Sequence, residues 1–174
     1  LLLVGRLVSV KGVDVAIEAL KQLHTRGIKQ TLTICGDGPD REMLEQSVTD
    51  YGLEEFVSFE GWTTPKELVQ YYQHAAVTLI PSRYEPFGIV ALEAIASGSP
   101  VVASRVNGLP ESVGDCGVLV EPENPDALAT GITQALQPDT RSRLRSAMPA
   151  HIERHRINRV AMDYLDVIKR VVER

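Results

Sequence analysis

A chain of 174 residues, 44% hydrophobic and 24% charged, carries enough apolar mass for one domain with a substantial core and does not require two. No run approaches the roughly 20 apolar residues of a membrane-spanning helix, and no basic, then apolar, then small-residue succession marks a secretory leader, so the cytoplasm is the expected location. The formal net charge of −5 hides an asymmetry, because residues 1–138 hold 9 Lys and Arg against 18 Asp and Glu while residues 139–174 hold 9 against 5. Such a basic tail reads first as a solvated helical face; contact with an acidic lipid surface at the cytoplasmic membrane, or with another domain, is the alternative. Nucleic acid is not an expected partner.

LLLVGR (residues 1–6) reads as a strand, and because the chain opens inside it and not on Met, a preceding partner domain is expected. A helix over 12–26, a strand over 31–36 (TLTICG), a helix over 40–51 and a strand over 56–61 (FVSFEG) follow. Next come a helix over 65–75, a strand over 76–81 (AVTLIP), a helix over 87–97, a strand over 100–104 (PVVAS), a short helix over 109–113 and a strand over 117–121 (GVLVE). Short β-branched runs alternating with amphipathic stretches predict a doubly wound, Rossmann-like parallel α/β sheet. Helices over 125–136, 139–147 and 153–173 close the chain with no further strand. Three helices in series cannot all cover one sheet face, so residues 1–150 are expected to form the sheet domain and 151–174 a terminal helix turned toward the absent partner.

In open parallel sheets, ligands bind beyond the carboxyl ends of the strands, so the loops there are the candidates for chemistry. GRLVSVKG (5–12) brings Arg6 and Lys11 to a glycine-bounded loop at a helix start, where two cations suit an anion such as a diphosphate; the Walker spacing is absent. GDGPD (36–40) lacks the third glycine of a dinucleotide fingerprint, since position 41 is Arg41, and reads as a tight strand-to-helix turn.

SRYEPFGIVALEAIASGSPVVAS (82–104) is the more informative loop. Pro86 suits a first helical position and leaves Glu85 in the loop, while Glu93 stands alone in a run that otherwise reads as buried. Eight helical residues separate two positions by about 12 Å along the axis and roughly 80° around it, too far for a close acid/base dyad. A buried carboxylate needs a partner. Either Glu93 pairs with Arg6 or another strand-end cation, or it holds hydroxyls of a ligand whose phosphates meet the backbone N–H groups of Phe87, Gly88, Ile89 and Val90.

GRL-x3-KG at 5–12, the Glu-x7-Glu pair Glu85 and Glu93, and GLPE at 108–111 together resemble the C-terminal donor-binding domain of retaining GT-B glycosyltransferases of glycosyltransferase family 4. The resemblance implies that Arg6 and Lys11 bind the diphosphate of a nucleotide-sugar donor, and that Glu93 takes the ribose hydroxyls. Glu85, with the backbone of Phe87 to Val90, would hold the transferred sugar and the phosphates. Phe59, Glu60, Gly61 and Trp62, in the stretch up to Thr64, would lie by the base. Arg6, Lys11 and Glu85 are thereby the catalytic candidates. Where many members carry Gly-Gly, this chain has Asn107-Gly108, and Asn also tolerates left-handed backbone.

Cleaving the sugar–diphosphate bond leaves negative charge on the leaving group, which Arg6, Lys11 and the helix N-terminus can stabilise; no Asp-x-Asp metal motif occurs and no metal or other cofactor is expected. The acceptor site would belong to the absent domain, so this chain alone would bind donor and transfer little. A GT-B sugar-nucleotide epimerase and a non-enzymatic nucleotide- or protein-binding module are the rival readings. Cys35 and Cys116 read as core residues. His24 and His74 read as helix-end groups. His151 and His155 lack a third metal ligand. Tyr71, Tyr72 and the Tyr164–Val172 stripe read as core, and Trp62 as a packing anchor or a base platform.

Overall fold

Three to five residues suffice for each strand because the inner strands are covered on both faces, so that every side chain of two of them, Thr78–Ile80 and Val101–Ser104, is buried. The computed structural model describes residues 1–162 and residue 165. In chain order it contains β1 (Leu2–Val4), a 3-10 turn (Ser9–Lys11), α1 (Val13–Thr25), β2 (Leu32–Cys35), α2 (Arg41–Asp50), β3 (Val57–Gly61) and α3 (Pro65–His74). There follow β4 (Thr78–Ile80), α4 (Ile89–Ala96), β5 (Val101–Ser104), α5 (Leu109–Val113), β6 (Gly117–Val120), α6 (Pro125–Leu136) and α7 (Pro138–Arg154). The six strands are all parallel, in the order β3-β2-β1-β4-β5-β6. This is the doubly wound α/β architecture expected from the alternation, and the winding reverses between β1 and β4.

Alternation along each strand divides the core in two. Leu3, Ile34, Leu79 and Val102 pack with α1, α2 and α6, while Leu2, Cys35, Ile80, Val101 and Ala103 pack with α3, α4 and α5. Both cysteines are free and buried, as expected of core residues. Among the described residues no helix is long and apolar enough to cross a membrane.

Two helix boundaries differ from expectation, each at a proline. α4 begins at Ile89 and not at Pro86, because Gly88 occupies its N-cap with left-handed backbone (φ 84°) and sets the helix direction there. α7 runs unbroken through Pro149 to Arg154, crossing the boundary expected at residue 150. Leu144, Met148 and His151 lie on one buried stripe of this helix, and that packing outweighs the one backbone hydrogen bond Pro149 cannot make. Leu144 joins the first core cluster and Met148 the second, so α7 is the helix that leaves the shared face and wraps from one side of the domain to the other. Residues 157–162 are again helical; most of the expected 153–173 helix, including nearly all of the Tyr164–Val172 stripe, lies outside the described residues.

His151 is 2% exposed, and its Nε2 lies 2.8 Å from the Ser112 carbonyl oxygen. A carbonyl only accepts, so Nε2 carries the proton and Nδ1 is left to accept from Arg154 at 3.3 Å. Burial holds this imidazole neutral and lowers its pKa below the usual 6.5. Above that value the folded and unfolded chains both carry a neutral ring. As pH falls through it the unfolded chain protonates first, and the fold loses stability. The melting temperature is therefore expected to decline from about pH 7.5 to pH 5, with a shallower slope over that window in His151→Gln.

Gly12 ends the 3-10 turn at φ 67°, and a Cβ there would stand 2.1 Å from the carbonyl oxygen of Pro81. Gly12→Ala is expected to cost about 2–4 kcal/mol in urea denaturation, combining left-handed strain with a backbone clash.

Candidate functional site

At the reversal point the chain leaves β1 toward one face and β4 toward the other, leaving a narrow crevice of about 10 Å³ lined by Val4, Lys11, Pro81, Ser82, Glu85 and Val90. The 3-10 turn and Gly12 carry Lys11 back over the end of β1, and its Nζ donates to Glu85 Oε2 at 2.6 Å. Both side chains are mostly covered, at 27% and 13% exposure. Two loops 74 residues apart in sequence are thus joined by one ion pair.

Arg83 fixes their register. Its guanidinium donates to the Asp14 carboxylate at 2.9 and 2.7 Å, to the Ser9 carbonyl at 2.5 Å and to Glu123 at 2.9 Å. Its backbone N–H reaches the Val10 carbonyl at 2.9 Å. The hydrogen bond from Arg83 is the main cause holding the Asp14 carboxyl below the usual range. Sequence reasoning passed over Arg83; its position two residues ahead of Glu85, beside the Pro-Ser that ends β4, was the available signal.

The start of α4 forms the next wall. Among the described residues the backbone N–H groups of Phe87, Gly88, Ile89 and Val90 have no hydrogen-bond acceptor, and Phe87 and Ile89 are exposed. These are orphan donors at a helix N-terminus, the arrangement that suits an anion. α5 braces the segment from behind: the Ser112 hydroxyl donates to the Phe87 carbonyl, and the Gly108 N–H donates to the Glu85 carbonyl at 3.2 Å. A Cβ on Gly108 would meet the Pro86 carbonyl oxygen at 2.4 Å, which explains the glycine, and Asn107 takes the left-handed backbone (φ 42°) expected of it.

Glu93 departs from expectation. It lies on the exposed face of α4 and forms no ion pair with Arg6 or any other cation among the described residues. The buried face of α4 is Ala91, Ala94 and Ile95, and a carboxylate three residues from Val90 falls outside it. Its partner is Tyr72, whose hydroxyl donates to Glu93 Oε2 at 3.0 Å. Tyr72 is a core residue, as expected, at 2% exposure, but it is also the group that orients Glu93. The signal was a phenol on an otherwise apolar helix face, which needs an acceptor, near an apolar helix with one acid.

Beyond the ends of β1 and β2 a cleft of about 160 Å³ is lined by Gly5, Arg6, Cys35, Gly36, Trp62 and Leu68. Val4 lines both this cleft and the crevice of Lys11 and Glu85, so the two share a wall. Arg6 is exposed, and its side chain makes no hydrogen bond or ion pair among the described residues. Trp62 is 84% exposed, so it is not a packing anchor. The expected base region divides: Trp62 borders the cleft, the Gly61 carbonyl accepts from the Gly36 N–H at 2.7 Å, Glu60 accepts from the Tyr71 hydroxyl at 3.1 Å, and Phe59 turns to the first core cluster under the Arg41 guanidinium. Burial pushes the Cys35 thiol up to about 11, so it lines the cleft as a neutral group. Among the described residues no group of three His, Cys, Asp or Glu is placed to hold a metal.

The family model for glycosyl transferases group 1 matches residues 1–151. An uncharacterised glycosyltransferase of Methanocaldococcus jannaschii is 42% identical over 138 residues, covering 78% of this chain and 35% of the relative. A D-inositol 3-phosphate glycosyltransferase of Acidothermus cellulolyticus is 40% identical over 165 residues, covering 88% of this chain and 37% of the relative. The chain thus spans about a third of the length of these relatives. The Anabaena protein HepE, solved in complex with UDP-glucose, superposes with a TM-score of 0.83 at 26% identity, over 97% of this chain and 48% of that one. The sheet order, the loops at its carboxyl edge and these matches converge: the chain belongs to the glycosyl transferases group 1 family and has the fold of a GT-B glycosyltransferase half.

Proposed function

We propose that this chain is the donor-binding half of a retaining, metal-independent glycosyltransferase that moves a sugar from a nucleotide diphosphate to a carbohydrate, lipid or small-molecule acceptor in the cytoplasm. The observation that carries the reading is the meeting of Lys11, Glu85 and the unbonded N–H groups of α4 at the one point where the sheet reverses its winding. Arg6 and Lys11 take the diphosphate together with those N–H groups. Glu85 orients the sugar, Glu93 takes the ribose, and the cleft beside Trp62 receives the base. When the bond between the anomeric carbon and the diphosphate oxygen breaks, the electron pair stays with that oxygen, and the two cations and the helix N-terminus stabilise the charge in place of a metal. UDP-glucose in the Anabaena neighbour supports a uridine nucleotide sugar as the first donor to test. The acceptor and the remaining catalytic groups come from the partner domain.

Calorimetric titration of UDP, GDP and ADP and their sugars, with and without magnesium, tests the reading. One nucleotide series is expected to bind equally well in both conditions, and Arg6→Ala and Lys11→Ala are each expected to weaken it roughly 10- to 100-fold, the worth of a hydrogen bond to a charged group. Absence of binding at millimolar concentration, or variants that bind as well as the parent, would overturn the donor-site reading, and strict dependence on magnesium would overturn its metal-independent form.

A further inference from the structure

Glu93 is the one acid of α4, it stands in solvent, and a glutamate side chain with three free torsions samples many orientations there. Its Oε2 accepts from the Tyr72 hydroxyl at 3.0 Å, and no other hydrogen bond to it is present among the described residues. Tyr72 itself cannot move: its ring is 2% exposed and packs in the second core cluster with Ala75, Ala91, Ala94 and Ile95. The phenol is also firmly a donor, because burial first and the adjacent Glu93 second raise its pKa well above the usual value. A rigid donor therefore holds one oxygen of a mobile carboxylate, which leaves Oε1 and the second lone pair of Oε2 to a ligand.

The position of this pair relates it to the cleft. Leu68 and Tyr72 are four residues apart on α3 and so share a face; Leu68 lines the cleft of Arg6 and Trp62. Val90 and Glu93 are three apart on α4 and share a face likewise; Val90 lines the crevice of Lys11 and Glu85. The hydrogen bond thus places the carboxylate between α3 and α4, one helical turn from residues that line each of the two parts of the proposed site.

On this basis we propose that Tyr72 is the positioning residue for ribose recognition: by fixing Glu93 Oε2 it presets the carboxylate to accept from both hydroxyls of a 2′,3′-diol, and so makes the site selective for ribonucleotides. This rests on the donor-site reading above. Neither oxygen of a wandering carboxylate would be aligned in advance, and the ordering would have to occur on binding.

The test is a titration of UDP, GDP and ADP, each beside its 2′,3′-dideoxy analogue, against the parent chain, Tyr72→Phe, Glu93→Gln and the double variant. Tyr72→Phe removes one oxygen and keeps the ring in the core; near-ultraviolet circular dichroism and the melting temperature verify its packing. The parent is expected to prefer the ribonucleotide roughly 10- to 100-fold, a preference that Tyr72→Phe cuts roughly tenfold while leaving dideoxy binding within about twofold. In the Glu93→Gln background Tyr72→Phe is expected to add little, the mark of two residues acting as one. Equal weakening of both ligands by Tyr72→Phe, or an unchanged preference, would overturn the positioning role while leaving the donor site standing. Should Tyr72→Phe lose its packing, Glu93→Asp serves as the second variant: it moves the carboxylate out of reach of the phenol, and a fully retained diol preference in that variant overturns the proposal. A parent chain that binds neither member of any pair overturns the donor-site reading itself.

Discussion

The ion pair between Lys11 and Glu85 is the contact on which the rest of the site is arranged. In a doubly wound sheet the chain leaves β1 and β4 toward opposite faces, so their loops diverge at the reversal point, and this pair of side chains reaches across the crevice to join them. Both partners are largely withdrawn from water, and a pair of that kind gives little net stability while the loss of either partner strands a charge. Its value is in placement. Lys11 is held at the crevice by an internal carboxylate, and an anionic ligand arriving at its edge meets a cation already in position.

Further contacts make that placement rigid. Arg83 binds Asp14, Ser9 and Glu123 at once, tying the loop after β4 to the start of α1 and to the loop after β6. Gly12 lets the backbone of the first loop touch that of Pro81, and Gly108 lets the loop before α5 touch Pro86; both approaches are too close for any Cβ. From the other side runs a relay that begins on α7: the His151 ring donates to the Ser112 carbonyl, and the Ser112 hydroxyl donates to the Phe87 carbonyl just ahead of the open α4 terminus. The extension of α7 past Pro149 is therefore part of the site's support, since His151 lies beyond that proline.

Strands and helices were legible in the sequence because burial on two faces imposes dense apolar runs and amphipathic stretches that glycine and proline punctuate. The helix end expected at residue 147 was misplaced because the buried stripe of Leu144, Met148 and His151 is formed with distant elements, and that packing carries the helix on through Pro149. Pro86 misled for a local reason: Gly88, two residues on, takes a left-handed conformation and fixes the helix start more strongly than a proline does. Arg6, Lys11, Glu85 and Glu93 stood out by chemistry, but the contacts around them did not. The Tyr72–Glu93 and Arg83–Asp14 contacts each join residues on different elements, 21 and 69 positions apart, and spacing along one element carries no record of them.

The same exposure that makes Arg6, Trp62, Phe87 and Ile89 available also limits what they can do alone. Two unit charges about 4 Å apart attract by about 1 kcal/mol in bulk water and by about 4 kcal/mol at the effective dielectric near a protein surface. A diphosphate held at this open edge would be bound from one side and hydrated from the other, so charge developing on its leaving oxygen would be answered partly by water. Covering the edge removes that water and strengthens every contact from Arg6, Lys11 and the α4 N–H groups without moving them. On the reading proposed above, binding and transfer are thus separable by solvent access: the groups that recognise the donor are preset in this chain, and their full effect on bond cleavage waits on a second surface that excludes water from the same edge.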